Sequence, residues 1–182
     1  MICGGTGIAP FLSFLEERQR VSEESGDPMG EAVLYYGCRN STEYMFRTRL
    51  TSYLRGPDGR QGVLDRLVVC FSCSSELDNN GYTEKLQSSQ EGEEVIREVL
   101  NITDIVTRQT PLLVPLMRNH ARIYVCGGAG NFGNAVRGSV EALVRKSYSL
   151  EEIGVSDKED STSHYGVRHL VAQRRYFEDL AD

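Results

Sequence analysis

The chain contains no tryptophan and only three histidines among its 182 residues. It also lacks any apolar run near the roughly 18 residues that span a bilayer, so we expect no direct membrane insertion by these residues. We expect no signal peptide, because too few residues precede the first glycine-rich turn. The formal net charge is -6, which argues against nucleic acid and anionic membranes as general partners.

The five cysteines are an odd number, and most of them lie within apolar segments. This pattern suits a reducing compartment better than a disulfide framework, so we expect a cytoplasmic protein. Cys70 and Cys73 form one C-x-x-C pair, but no second pair and no histidine lie nearby in the sequence. We therefore predict no metal site.

The first ten residues predict a strand, a tight turn and a helix. A short apolar segment ends at Cys3 and leads into a glycine-rich turn, after which Pro10 stands in the first helical turn. The helix is expected to bury one face formed by Phe11, Leu12, Phe14 and Leu15. Such a turn exposes backbone N–H groups at the positive end of the helix dipole, where a dinucleotide pyrophosphate can bind. Glycine-rich turns also occur without a ligand, so a purely structural role stays open.

Apolar segments alternate with helical patterns along the rest of the chain. Buried strands are predicted at 32–36, 67–71 and 122–126, and a short last strand is predicted to begin at Tyr176-Phe177. Helices are predicted at 42–54, 93–100, 112–117 and 165–175, and a further helix is predicted through Val136, Val140, Leu143 and Val144. The sequence therefore predicts an α/β fold with a Rossmann-like parallel sheet covered by helices on both faces. Ligands bind such sheets at the carboxyl ends of the strands.

Length and composition fit a single domain over residues 1–182. The first strand is truncated relative to the usual five or six residues, so we expect the chain to be cut from something longer. Polar or turn-rich segments are expected at the surface at 55–61, 74–92 and 151–163. Pro111 and Pro115 are expected to break the helical pattern between them.

A second glycine-rich turn, from Gly128 to Gly133, has the spacing G-x-G-x-x-G. No strand with an acidic end follows its helix, so the context of a dinucleotide-binding fingerprint is missing. We interpret this segment as a structural turn.

Five motifs follow one another in an order typical of one protein family. They are Gly4-Gly5-Thr6-Gly7-Ile8-Ala9-Pro10-Phe11, Leu34-Tyr35-Tyr36-Gly37-Cys38-Arg39, Phe71-Ser72, Tyr124-Val125-Cys126-Gly127 and Arg175-Tyr176-Phe177-Glu178-Asp179. The set resembles the nicotinamide-nucleotide-binding domain of the diflavin reductases, the group of the cytochrome P-450 reductase and sulfite reductase flavoprotein type. More broadly, it is similar to ferredoxin-NADP reductase. The resemblance covers most of the chain and is weakest over 74–118.

The resemblance implies a set of residues that bind the nicotinamide nucleotide. They are Gly4, Gly5, Thr6, Gly7, Cys38, Arg39, Ser72, Cys73, Tyr82 and Gly127. It also implies two catalytic residues, Cys126 near the nicotinamide C4 and Asp179, a carboxylate that polarises the site of hydride transfer.

Four of these residues have plainer alternatives. Thr6 could cap a helix, and Cys126 could be an ordinary core residue at a strand end. Arg39 could be a solvated surface side chain, and Asp179 an ordinary tail residue.

The sequence departs from the family where the family binds the 2′-phosphate of NADPH. The family carries Ser-Arg after the third strand, whereas Cys73 follows Ser72 here. The family then carries Lys-x-Tyr-x-Gln, whereas Asn80 and Glu84 flank Tyr82 here. Two cations are missing and one carboxylate is added, although a phosphate favours arginine and lysine. NADP is the expected cofactor, and NAD is the alternative.

Two further departures fall at the site of hydride transfer. Gly128 stands where the family has an acid after Cys-Gly, and Ala181 stands where it has the terminal aromatic residue that covers the flavin. Without this aromatic residue, either the nicotinamide has less competition for the flavin face or the site is degenerate.

The resemblance implies the NAD(P)H-binding domain of a flavoprotein oxidoreductase. In the full-length protein, hydride would pass from NADPH to FAD, and electrons would pass on through FMN or directly to an acceptor protein such as a cytochrome. The FAD-binding domain would belong to the same polypeptide, so this chain is expected to hold no flavin and to be inactive by itself. The parent could be tethered to the cytosolic face of the endoplasmic reticulum. Two alternatives stay open: an NADH-using domain of the cytochrome b5 reductase type, and a non-catalytic dinucleotide-binding or interaction module.

Overall fold

The computed structural model of the chain describes residues 1–27, 29–55, 62–73, 92–96, 101–149 and 165–181. These residues belong to two compact units, Met1–Ile102 and Thr103–Asp182. Each unit combines helices with parallel strands. The predicted α/β fold class with a parallel, Rossmann-like sheet is therefore confirmed.

The described part of the first unit contains four parallel strands in the order β4-β3-β2-β1. Along the chain its elements are β1 (Ile2–Gly4), a 3₁₀ turn (Gly5–Ile8), α1 (Ala9–Ser25), β2 (Val33–Cys38), a second 3₁₀ turn (Ser41–Glu43), α2 (Arg47–Ser52), β3 (Arg66–Phe71) and β4 (Glu93–Ile96). Nearly every residue of β2 and β3 is buried. Because successive strand residues point to opposite faces, both faces of these strands are covered.

The second unit carries the remaining described elements. They are α3 (Ile102–Arg108), which begins at the boundary between the units, α4 (Thr110–Arg118), β5 (Ile123–Gly128), α5 (Asn131–Ser147), α6 (Tyr165–Ala172) and β6 (Tyr176–Ala181). Strands β5 and β6 are parallel. Helix α5 buries Val136, Val140, Leu143 and Val144, the apolar stripe expected for a helix on one face of a sheet. No described helix is long and apolar enough to cross a membrane.

Helix α1 begins where predicted but buries a narrower face. Phe11, Leu12 and Leu15 are buried, whereas Phe14 is 41% exposed. The ring of Phe14 contacts Phe11 edge to face, with centroids 5.8 Å apart. The prediction that Phe14 belongs to the buried face is therefore wrong.

The helix predicted over 42–54 is too long, because α2 covers only Arg47–Ser52. Upstream of it, the Asn40 side chain accepts a hydrogen bond from the Glu43 backbone N–H at 3.0 Å and caps a 3₁₀ turn. Phe46 then adopts a left-handed φ of 59° and interrupts the helical path. Its side chain is exposed.

The helix predicted over 93–100 is wrong, because the chain forms strand β4 at Glu93–Ile96. This strand pairs with β3, and Glu93 lies opposite Leu67. The Glu93 side chain is fully buried, and it accepts hydrogen bonds from Tyr44 at 3.0 Å and Arg47 at 3.1 Å. The strand was not predicted from the sequence because a charged residue, Glu93, occupies a buried strand position where an apolar residue is usual.

Three other elements differ from the prediction in their bounds. Helix α4 begins at Thr110 and continues through Pro115, and Pro111 lies in its first turn, where a missing N–H costs little. Strand β6 begins at Tyr176, as predicted, and extends to Ala181. Helix α6 ends at Ala172 instead of 175, and α3 was not predicted.

Candidate functional site

The first glycine-rich turn joins β1 to α1 without any side-chain cap. Gly5 has a left-handed φ of 54°, and nothing lies within 4 Å of the position that a Cβ would occupy. Gly7 and Ile8 are buried and hold the turn against the first unit. The turn therefore presents backbone N–H groups at the positive end of a 17-residue helix, with open space beside Gly5. This arrangement fits a phosphate group.

Thr6 is exposed in the middle of this turn. Gly4 and Ile8 occupy the capping positions of the 3₁₀ turn and of α1, and no side-chain hydrogen bond caps either element. Thr6 is therefore not a helix cap. Its predicted contact with the nucleotide stays a prediction.

Arg39, Ser72 and Cys73 come together where β2 and β3 end. The Ser72 N–H donates to the Cys38 carbonyl and the Cys73 N–H donates to the Arg39 carbonyl, each at 3.0 Å. All three side chains are exposed. Among the described residues, no hydrogen bond or salt bridge engages the Arg39 guanidinium, so its charge is available to an anion.

Cys38 directs its thiol into the sheet. Its Sγ lies 3.9 Å from the carbonyl oxygen of Cys70, and burial raises the pKa of the thiol to about 12. The Sγ also lies 3.5 Å from the carbonyl oxygen of Asn40, beyond the strand end, but the Cys38 side chain is buried. We therefore expect any contact of Cys38 with a nucleotide to come from its backbone.

The remaining residues predicted to lie near the 2′-phosphate are outside the described residues. They are Tyr82 and its neighbours Asn80 and Glu84. The choice between NADP and NAD therefore stays a prediction.

Cys126 and Asp179 lie opposite each other on β5 and β6, so their side chains share one face of this ladder. Cys126 is partly buried and Asp179 is exposed. Partial burial raises the pKa of the Cys126 thiol, and the nearby Asp179 carboxylate raises it further. No hydrogen bond or ion pair from the described residues reaches the Asp179 carboxylate. The two side chains thus present a neutral thiol beside an unpaired carboxylate.

The neighbouring acid, Glu178, faces the other way. Arg137 of α5 donates to its two carboxylate oxygens at 3.0 and 2.6 Å, and the Tyr176 hydroxyl donates at 3.0 Å. The bonds from Arg137 lower the pKa of Glu178. Helix α5 thus covers one face of the β5–β6 ladder, and Asp179 lies on the opposite face.

Gly127 and Gly133, at the second glycine-rich turn, pack closely against side chains of α5 and β6. A Cβ on Gly127 would lie 2.6 Å from the Phe132 ring, and a Cβ on Gly133 would lie 2.7 Å from Leu180. These glycines are required by packing, which supports the interpretation of this segment as a structural turn. The predicted contact of Gly127 with the nucleotide stays a prediction.

Gly128 and Ala181, the two departures from the family at the site of hydride transfer, lie opposite each other. The Ala129 N–H donates to the Ala181 carbonyl at 2.7 Å. Nothing lies within 4 Å of the position of a Cβ on Gly128, and both residues are exposed. Gly128 and Ala181 therefore form one open patch of surface, and neither residue supplies a charged group or an aromatic ring there.

Tyr124 and Phe177 are candidate site residues that the sequence-based predictions missed. Their rings stack with centroids 5.1 Å apart and an interplanar angle of 13°. They lie opposite each other two residues before Cys126 and Asp179, on the same face of the ladder. The period-2 alternation of a longer last strand would have placed Phe177 and Asp179 on one face.

Most of the chain matches a known protein family. The model for the oxidoreductase NAD-binding domain matches residues 1–137. This chain belongs to that family. The resemblance to the diflavin reductases is confirmed, and the family is one of NAD-binding domains of oxidoreductases.

Individual relatives of this NAD-binding domain are full-length reductases. The chain is 29% identical to human NADPH–cytochrome P450 reductase over 181 residues, which covers 99% of the chain and 22% of that protein. It is 30% identical over 183 residues to the bifunctional cytochrome P450/NADPH–P450 reductase 2 of Bacillus subtilis (strain 168), covering 99% of the chain and 14% of that protein. It is 28% identical over 182 residues to human methionine synthase reductase, covering 99% and 22%. The chain thus spans about a fifth of the length of these human relatives.

Proposed function

We propose that residues 1–182 act as one nicotinamide-nucleotide-binding domain and that NADP, or alternatively NAD, places its phosphates on the turn at 4–7 and on Arg39. The observation that carries this proposal is the open, uncapped turn together with a cation, Arg39, that no other described residue engages. Gly4 lies opposite Gly37 in the β1–β2 ladder, and Arg39 follows Gly37 by two residues. The cation and the turn therefore belong to the same edge of the first unit's sheet.

Cys126 and Asp179 are proposed to act on the nicotinamide. When bound, the reduced cofactor supplies a hydride to FAD. The exposed carboxylate of Asp179 stabilises positive charge on the nicotinamide ring. The Cys126 thiol stays protonated because its pKa is raised, so it adds no second negative charge to the site.

For the full-length protein, the proposal is a flavoprotein reductase. Its FAD-binding domain belongs to the same polypeptide, FMN is a further cofactor, and a redox protein such as a cytochrome accepts the electrons. The names of the relatives, a cytochrome P450 reductase and a methionine synthase reductase, support this assignment. The proposed location is the cytoplasm. We further propose that the full-length protein is tethered to the cytosolic face of the endoplasmic reticulum.

Calorimetric titration of the 182-residue chain with NADP+ and NAD+ tests the phosphate site. Both ligands should bind weakly, and Gly5→Val should abolish binding because a branched side chain blocks the close backbone approach. Valine at Gly5 also strains a backbone with φ 54°. Gly26→Val is the matched control, because Gly26 has φ 68° and an equally open Cβ position at the far end of α1.

The proposal requires that Gly26→Val binds like the unmodified chain. It is contradicted if millimolar NADP+ and NAD+ give neither heat nor a change in the NMR spectrum. It is also contradicted if Gly26→Val loses binding as completely as Gly5→Val, since the loss would then reflect backbone strain alone.

The pairing of Gly128 with Ala181 favours a second candidate, a dinucleotide-binding module without catalysis. In that case the chain would still bind NADP+, but the full-length protein would not reduce a cytochrome with NADPH or NADH. Reduction with NADH alone would instead identify the cytochrome b5 reductase type.

A further inference from the structure

The edge of the second unit where β5 and β6 begin is basic. Helices α4 and α6 end just before these strands, and α5 ends beside α4. Four exposed cations lie here and form what we call the basic edge: Arg118, Arg122, Lys146 and Arg174. The cluster is created by the fold, since its members are far apart in the sequence.

Arg118 and Lys146 lie at the ends of two helices that contact each other. The Nε of Arg118 donates to the carbonyl oxygen of Ser147 at 3.2 Å, and Ser147 directly follows Lys146. The Tyr148 hydroxyl donates to the carbonyl oxygen of Met117, which is a second bond between the same two helix ends. The two cations therefore belong to the same end of the unit.

Arg122 and Arg174 lie where two neighbouring strands begin. The Ile123 N–H donates to the carbonyl oxygen of Arg175 at 2.7 Å, so the two segments are already paired there, and paired strands lie about 4.8 Å apart. Arg175 also donates to the carbonyl oxygen of Met117 at 2.6 Å, which joins these strand starts to the end of α4. All four cations therefore share one edge.

The basic edge carries more positive charge than the fold itself requires. Each helix carboxyl end carries about −0.5 elementary charge, so the ends of α4, α5 and α6 together balance about one and a half of the four cations. Among the described residues, no acid forms a salt bridge with any of the four. Glu141 of α5 is buried and bound to Arg145, and Glu178 of β6 is bound to Arg137. The surplus charge is therefore free to attract an external anion.

We propose that the basic edge binds an acidic segment of a partner protein, in which several aspartates or glutamates lie within a few residues. Three of the four cations are arginines, whose planar guanidinium matches the two oxygens of a carboxylate. Several such cations on one small surface suit a segment that presents several carboxylates close together.

A bilayer or a nucleic-acid duplex fits this edge less well than an acidic segment does. Both are much larger than the edge, so they also meet the rest of a chain whose formal net charge is -6, and that charge repels them. A short segment covers the edge alone. More distant charges on the chain affect it little, because salt screens exposed charges beyond about 8 Å at physiological ionic strength.

The basic edge is separate from the proposed nicotinamide site on the same strands. Cys126 follows Arg122 by four residues, which is about 13 Å along a strand, and nucleotides bind parallel sheets at the opposite, carboxyl ends of the strands. An acidic segment on the basic edge therefore leaves Cys126 and Asp179 uncovered. The inference goes beyond the proposed function and does not depend on it.

Fluorescence anisotropy with a labelled acidic peptide tests the inference on the 182-residue chain. The probe is a short peptide of alternating glutamate and glycine, and its matched control carries glutamine in place of each glutamate. The acidic peptide should bind saturably and at least tenfold more tightly than the glutamine peptide, because only carboxylates form charge-assisted bonds with arginine. Added salt should weaken this binding, because the four cations are exposed.

Two double variants locate the binding surface. Arg122→Gln with Arg174→Gly removes two cations of the basic edge and should weaken binding of the acidic peptide at least fivefold. Glycine also relieves the left-handed φ of 55° at Arg174, which favours the folded chain. Arg108→Gln with Arg168→Gln is the matched control, because it removes two exposed arginines near the starts of α4 and α6. It should change the affinity less than twofold.

Lys146→Gln on α5 gives an independent measurement if the first double variant does not fold, and it should weaken binding about twofold. The inference is overturned if the acidic and glutamine peptides bind equally well. It is also overturned if the control double variant loses as much affinity as the variant of the basic edge, or if Lys146→Gln loses none. Phosphatidylcholine–phosphatidylserine vesicles or a DNA duplex that bind more tightly than the acidic peptide, at the same concentration of negative charge, would overturn it in favour of a membrane or a nucleic acid.

Discussion

At the residue scale, Glu93 and Glu94 are sequence neighbours in opposite environments. The Glu93 carboxylate is fully buried and paired with Arg47, whereas the Glu94 side chain is 49% exposed and paired with Arg66. Removing one partner of a buried ion pair leaves an uncompensated charge, so Glu93→Ala should lower the free energy of unfolding by about 3 kcal/mol. Glu94→Ala should cost less than about 1 kcal/mol. Urea denaturation measures both, and similar costs for the two variants would contradict the buried pair.

The cysteines should react with a thiol reagent in an order set by their exposure. Cys73 is exposed, Cys126 is partly buried, and Cys3, Cys38 and Cys70 are buried. We predict that iodoacetamide labels Cys73 first and Cys126 second, and that it labels the other three only in denaturant.

The pH dependence of this labelling tests the environment of Cys126. Because the pKa of its thiol is raised, the thiolate is scarce at neutral pH, and the labelling rate should still increase above the usual thiol pKa range. Mass spectrometry of the labelled peptides over a pH series gives this rate. A rate at Cys126 that levels off below pH 8 would be inconsistent with the raised pKa.

At the element scale, the start of β6 is fixed by a buried arginine. Arg175 is 6% exposed and donates to the carbonyl oxygens of Ala121 at 3.1 Å and Met117 at 2.6 Å. It also donates to the Tyr148 hydroxyl at 2.9 Å. Its charge lies at the carboxyl end of α4, where the helix dipole favours a cation. Arg175 thus positions the strand that carries Asp179.

The adjacent arginines provide a matched pair for a stability measurement. Arg175→Met should lower the free energy of unfolding by about 2–4 kcal/mol, because it removes the charge-assisted hydrogen bonds that Arg175 donates to Ala121, Met117 and Tyr148. Arg174 is exposed and has a left-handed φ of 55°, so Arg174→Gly should stabilise the chain by up to about 1 kcal/mol. Thermal denaturation measures both changes. Equal destabilisation by the two substitutions would contradict the role of Arg175 in fixing the start of β6.

The elements also show what a single sequence can predict. The strands β2 and β3 could be located because both of their faces are buried and their sequences are almost continuously apolar. Strand β5 could be located because its sequence is also largely apolar, although only one of its faces is buried. Strand β4 could not, because its first residue is a glutamate whose burial depends on Arg47, 46 residues away. The start of α2 depends on the backbone conformation of Phe46, which no local pattern encodes.

At the scale of the whole molecule, we predict that the purified 182-residue chain contains no flavin. The resemblance assigns FAD to a separate domain of the parent protein. The protein should show no absorbance in the flavin bands and should not reduce a cytochrome with NADPH. A yellow preparation with stoichiometric FAD would show that this domain assignment is wrong.

The candidate site was only partly accessible from the sequence. The glycine-rich turn and Arg39 could be predicted, because strand ends and helix starts have local signatures. Cys126 and Asp179 are 53 residues apart and are brought together only by the register of β5 and β6. Their assignment to one site came from a family resemblance, whereas their pairing and the neighbouring stack of Tyr124 and Phe177 became visible only in the structure.

The pairing of Gly128 with Ala181 also predicts how the two positions vary in evolution. Each position faces the other directly across the ladder, so a large or charged side chain at one changes the space and the charge that the other meets. Substitutions at the two positions should therefore be correlated in evolution. Among related sequences, a small residue at one position should then accompany a small residue at the other, and an acid after Cys-Gly should accompany a terminal aromatic residue.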